Sequence, residues 1–220
     1  MLLAEDLLLL ALDPQTGTPV NSSRDPLKVA LSGALIAELG LLGLIAEDGR
    51  RLAPIGAPPD HPLLADTHAL LGTVRGRRAA DQLGRMDRAL GGVWGRVVDP
   101  LVDAGVLGRR RDRVVIVTVT HHPVLRPEVR DEVVRRLRAA ATGDGPFDPR
   151  TATVLALSGP SRLLEVVAPQ RADRRHAKDR IKEATEQAPV AAIVRKVIQE
   201  AQAAAATVAA TASTTAATSG

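Results

Sequence analysis

The chain has no cysteine, which removes disulfide frameworks and thiolate metal sites from consideration. Aromatic residues are almost as scarce: Trp94 and Phe147 are the only two in 220 residues. A core must therefore be built from Leu, Val, Ile and Ala, a palette that favours packed helices over a sandwich or propeller. Lysine occurs only at positions 28, 178, 182 and 196, so the basic charge is nearly all arginine, and the pI is about 10.3 although the net charge is +4. This surplus points toward anionic partners, either lipid headgroups or nucleic acid. No uninterrupted apolar run is long enough to span a bilayer. The longest, Val29 to Ala46, is broken by Ser32, three glycines and Glu38, and reads as a buried core helix. The start lacks a positive leading region and a cleavage pattern, so it is expected to be the first helix rather than a signal peptide.

Nucleotide-binding, nucleophile-elbow and zinc-protease motifs are also missing, so no enzymatic chemistry, cofactor or metal is expected. His121 and His122 are adjacent, and on a strand they would point to opposite faces, a poor arrangement for one metal. His61, His68 and His176 stand alone. Ser158-Gly159-Pro160-Ser161 reads as a helix stop followed by an N-cap. Asp99 and Asp103 lie one helical turn apart, a spacing common on solvated faces.

The length suits one domain, expected over residues 1–208 as a mostly α bundle of about eight to ten helices with two short β-hairpins. A first helix over 2–12 stops at Asp13-Pro14. A second is expected to start at Asp25-Pro26, cap then proline, and to run to about Gly43. Asp48-Gly49 marks a hairpin, and Pro54 to Pro62 a loop. Helices follow at 63–73, 77–90 and 92–104. Val106-Leu107 and the run Val114 to Val119 bracket Gly108 to Arg113, which predicts a second hairpin whose tip carries Arg109, Arg110, Arg111 and Arg113. Pro127 opens a helix with Val129, Val133, Leu137 and Ala140 on one face. Its early acids and late arginines suit the helix dipole. Further helices are expected over Pro149 to Leu157, about 170–186, and Val190 to about Thr207. The Ala/Thr/Ser segment 209–220 has too little to bury and is expected to be a disordered tail.

The wording of these segments, in order, resembles the Golgi phosphoprotein family over residues 2–206, and specifically a bacterial branch of it. The resemblance is carried by Leu2 to Asp13, by Gly33 to Leu39 with Glu38 inside an apolar helix, and by Leu101 to Leu107 before a hairpin. Thr120 to Val124, Asp148 to Ala152 and the charged Arg174 to Ile181 helix complete it. It implies a mostly helical single domain that associates peripherally with membranes through phosphatidylinositol 4-phosphate. In eukaryotic relatives it also implies binding to cytoplasmic tails of glycosyltransferases. The expected location is cytoplasmic and membrane-associated, with an anionic phospholipid surface as partner and cytoplasmic segments of membrane proteins as further candidates.

The family's headgroup pocket uses one tryptophan and three arginines, and the matching positions here hold Ser23, Ser32, Gly91 and Trp94. The headgroup candidates are therefore Trp94 with its basic neighbours Arg24, Lys28, Arg88 and Arg96, aided by the basic hairpin facing the membrane. The competing reading is a winged-helix nucleic-acid binder, since helix, Gly-Val-Leu and arginine-rich hairpin also describe a wing. Asp99 and Asp103 on the preceding helix count against it. Near Arg50 to Pro62 the resemblance places an oligomerising hairpin, which is short and proline-rich here.

Overall fold

The computed structural model describes residues 1–20, 24–74, 78–114, 117–188 and 190. Nine α-helices occur among these: α1 Leu3–Ala11, α2 Arg24–Leu41, α3 Pro62–Thr73, α4 Ala79–Ala89, α5 Val93–Asp103, α6 Pro127–Thr142, α7 Pro149–Ser158, α8 Leu164–Val167 and α9 Arg174–Gln187. Two separate antiparallel ribbons complete the domain, β1 Ile45–Asp48 with β2 Arg51–Pro54, and β3 Arg110–Val114 with β4 Val117–His121. The expected final helix from Val190 and the tail 209–220 lie outside the described residues, apart from Val190 itself.

Helix α1 is the axle of the fold. Leu3, Leu7, Leu8, Leu9 and Leu10 are fully buried and, apart from Glu5 and Asp6, the helix carries only apolar side chains, as expected for a helix enclosed by others. It packs on α2, α5, α6 and α7. Two buried carboxylates hold this assembly. Glu38 of α2, 4% exposed, receives the Leu3 N–H at 2.6 Å, which satisfies a free donor at the start of α1, and pairs with the Arg150 guanidinium of α7. Arg150 also donates to the Met1 carbonyl at 2.8 Å. Asp6 of α1, 2% exposed, pairs with Arg136 of α6 at 2.7 Å. The motifs around Glu38 and Arg150, 112 residues apart in sequence, thus meet in one buried ion pair.

Burial is the largest influence on Asp6 and pushes its carboxyl above the usual aspartate range, outweighing Arg136, Arg150 and the N-terminal amine. The folded state therefore binds this proton more tightly than the unfolded chain does. The stability contributed by protonation is present below the ordinary value, about 3.9, and declines as pH rises from there through the raised folded value. Asp6→Asn cannot titrate, so its unfolding free energy, measured by urea titration, should lack that component of the decline. A constant wild-type minus variant difference across this window would refute the assignment.

The first hairpin forms where expected, with Gly49 at φ +64 in the two-residue turn between Asp48 and Arg51. Its inner edge is closed by a side chain. The fully buried Gln82 amide of α4 accepts from Leu52 N at 2.8 Å and donates to Leu52 O at 2.9 Å and Leu71 O at 3.0 Å, replacing a neighbouring strand.

Several local expectations need correction. Helix α2 begins at Arg24, so Asp25 and Pro26 lie in its first turn rather than at its cap. Ser161 is no N-cap: its hydroxyl donates back to Leu157 O at 2.7 Å, finishing α7. The short α8 has no counterpart among the expected helices. In the second hairpin the arginines form a strand rather than a tip. Arg110 pairs with His121 and Val114 with Val117, so Arg110, Arg111 and Arg113 lie along a strand, and positions 115–116 are outside the described residues. A two-stranded ribbon tolerates such charges because it is not sandwiched between layers. The late arginines of α6 serve neighbours more than the helix dipole: Arg136 reaches Asp6 and Arg138 donates to Val166 O at 2.9 Å.

Candidate functional site

Two glycines make the turn from α4 into α5, with φ +72 at Gly91 and +105 at Gly92. The Asp87 carboxylate accepts from Val93 N at 2.8 Å and so fastens the start of α5. Such φ values are uncommon for side-chain-bearing residues, which accounts for glycine at position 91, a position that the resemblance matches to a pocket arginine. Ser32 is fully buried and cannot meet a headgroup. Ser23 is outside the described residues. Of the four positions matched to the family pocket, Trp94 is the one that the described structure places on an accessible cleft.

That cleft, about 330 Å³, lies between α5 and the β3–β4 ribbon. Trp94, Gly95, Val98 and Asp99 line it from α5, and Arg109, Arg111, Thr120 and His122 from the ribbon side. Trp94 is half-buried against the core, its ring tilted 56° to that of His122 with centroids 6.4 Å apart. His122 is buried, with Nδ1 3.2 Å from the Gly108 carbonyl. Strand alternation explains the ribbon side: Arg111 pairs in register with Thr120, and His122 follows on the same face. The other face carries Arg110 and His121, both near Asp112, at 3.1 and 3.5 Å. The two adjacent histidines thus point to opposite sides, as expected.

Arg109 gives part of its charge to Asp99. Arg111 is exposed and forms no ion pair with any described residue, so it supplies the uncompensated positive charge of the cleft. A guanidinium fork beside a hydroxyl, over an indole floor, is suited to a phosphate-type oxyanion.

The remaining candidates lie elsewhere. Arg96 is two residues from Trp94, about 200° around the helix, and is tied to Asp66 of α3 at 2.5 Å. Lys28 sits 3.5 Å from Asp25. Arg88 is exposed with Arg85 on a separate opening of about 600 Å³ along α4. Arg110 is turned toward Asp112. The side chains of Arg24 and Arg113 are outside the description. Thr120 and His122 were not singled out as ligand residues. The signal for them is the alternation of positions 118–122, which becomes usable once the hairpin register is known.

The family model for Golgi phosphoprotein 3 (GPP34) matches residues 3–201. The chain belongs to this family. The match spans all nine described helices and both ribbons of this GPP34 protein, so the cleft lies inside the family domain. A search of curated proteins returns no match. Among the described residues no helix is long and apolar enough to cross a membrane, and no group of three or more His, Asp or Glu is placed to hold a metal.

Proposed function

We propose that this GPP34 protein is a non-enzymatic peripheral membrane protein of the bacterial branch that docks on anionic bilayers through the α5–ribbon cleft. Family membership supports a phosphoinositide, phosphatidylinositol 4-phosphate, as the headgroup class. The observation that carries the reading is the convergence of Arg111, Thr120 and Trp94 on one open cleft. Arg111 and Arg109 attract the phosphate, Thr120 offers a hydroxyl, and Trp94 lies at the headgroup level, where indoles concentrate. With the family's pocket arginines replaced, general anionic attraction carries more of the affinity and headgroup selectivity is weaker. An adaptor role toward cytoplasmic segments of membrane proteins accompanies this reading.

Liposome co-sedimentation tests it. Wild type should bind anionic vesicles, ignore neutral ones, and release as salt rises. Arg111→Ser should lower partitioning about fivefold, the equivalent of ~1 kcal/mol for one well-placed cation. Arg96→Ala should change little, because Arg96 is committed to Asp66. Retention of duplex DNA by a wild type that ignores anionic vesicles would replace the lipid reading with the winged-helix one.

A further inference from the structure

Helix α9 carries two stripes of opposite character. Ala177, Arg180 and Ala184 are buried at i, i+3 and i+7, and face α6 and α7, on which α9 packs. Arg175, Lys178 and Lys182 repeat the same spacing two residues earlier, about 200° around the helix, so they project away from the domain.

Their partners differ as well. Arg174 pairs with Glu165 at 3.0 Å, His176 lies 3.5 Å from Asp144, and Arg180 binds Glu183 at 2.6 Å. Arg180 also lies 3.9 Å over the Phe147 ring. Arg175, Lys178 and Lys182 are all exposed and have no ion-pair partner among the described residues. Asp179 and Glu186 would be natural i+4 partners for Arg175 and Lys182, yet neither pair is closed.

We infer that this outward face of α9 is a docking strip for an acidic protein segment. The strip is one residue wide and two turns long, about 10 Å at 1.5 Å per residue. Carboxylates spaced three or four apart on a helix match that interval. A flat anionic bilayer fits less well, because it would also meet the exposed Asp179 and Glu186 beside the strip. The strip is also remote from the cleft. Helix α5 packs on α1, α2 and α4, whereas α9 packs on α6, α7 and α8, with α1 between α5 and α7. A segment held on α9 therefore does not compete for the headgroup site, and the inference is independent of the lipid reading.

The probe is a labelled alanine-based peptide with glutamates at i, i+4, i+7 and i+11, compared with its glutamine counterpart by fluorescence anisotropy on the full chain. The glutamate peptide should bind more tightly. Arg175→Ser, Lys178→Ser and Lys182→Ser together should weaken it about tenfold, as three exposed charge pairs would, and leave vesicle sedimentation unchanged. Arg111→Ser should do the reverse. Arg175→Glu, Lys178→Glu and Lys182→Glu together should lose the glutamate peptide and gain its lysine analogue, which a misfolded variant would not. Unchanged peptide affinity in the triple serine variant overturns the inference. So does a loss confined to anionic vesicles, which would make the strip a lipid surface, or one confined to duplex DNA.

Discussion

Glu38→Ala should lower the unfolding free energy by about 3–5 kcal/mol, the usual effect of removing one partner from a buried ion pair. Two groups lose their acceptor together, the Arg150 guanidinium and the Leu3 N–H that opens α1, and the contact that joins α2 to α7 goes with them. Arg150 is partly exposed and regains some hydration, whereas the Leu3 N–H is enclosed and does not. For a domain of this size the expected fall in Tm is roughly 10 °C. Arg150→Ala should be at least as damaging, because it leaves a carboxylate that is 4% exposed without its cation. Glu38→Gln retains an acceptor for Leu3 and should fall between wild type and Glu38→Ala. Thermal melts of the four proteins decide the matter. A loss below about 1 kcal/mol for Glu38→Ala would mean that the pair is not a keystone of the packing.

Gly17→Ala should be comparably destabilising and should also disturb the cleft. Gly17 has φ +66, and a Cβ there would lie 2.2 Å from the His122 carbonyl carbon and 2.3 Å from Pro123 N. Its carbonyl accepts from His122 N at 3.1 Å, so the turn after α1 is laid directly on the end of β4. A left-handed conformation for a non-glycine residue costs ~1–3 kcal/mol, and overpacking against backbone adds ~1–3 kcal/mol. Moving His122 away to relieve the clash would carry with it the ring that packs beside Trp94. Urea unfolding should show a loss of about 2–6 kcal/mol from these two terms together. In whatever fraction stays folded, Trp94 fluorescence should shift and vesicle binding should fall. Full stability would show that the turn has room to move.

Most of the helices were legible because the apolar positions and their punctuation agree. Asp13-Pro14 stops α1, and Asp48-Gly49 turns the first hairpin. The hidden part is what depends on sequence-distant partners. Glu38 is conspicuous in an apolar helix, but nothing local says that its cation is Arg150, 112 residues away. The register of the second hairpin is hidden because the Val/Ile run after Arg113 holds no residue that marks the end of β3. That carries into the site: with the arginines at a tip, Arg111 has no fixed neighbour, whereas in the observed register it faces Thr120. The separation of Arg96 from Trp94, by contrast, follows from helical geometry and was readable in advance.

The enclosure of α1 has a kinetic side. Its leucines are made well before the helix that closes over them, α7, which begins at Pro149, and the clasp from Arg150 to Met1 spans 149 residues. At typical synthesis rates of ~5–20 residues per second, roughly 7–30 s pass before that clasp can form. Throughout this interval the nascent chain presents a five-leucine helix with no complete partner surface, a natural substrate for holding chaperones. Synonymous codons that slow translation between α2 and α7 should therefore reduce the soluble yield of this protein without altering a single residue of it.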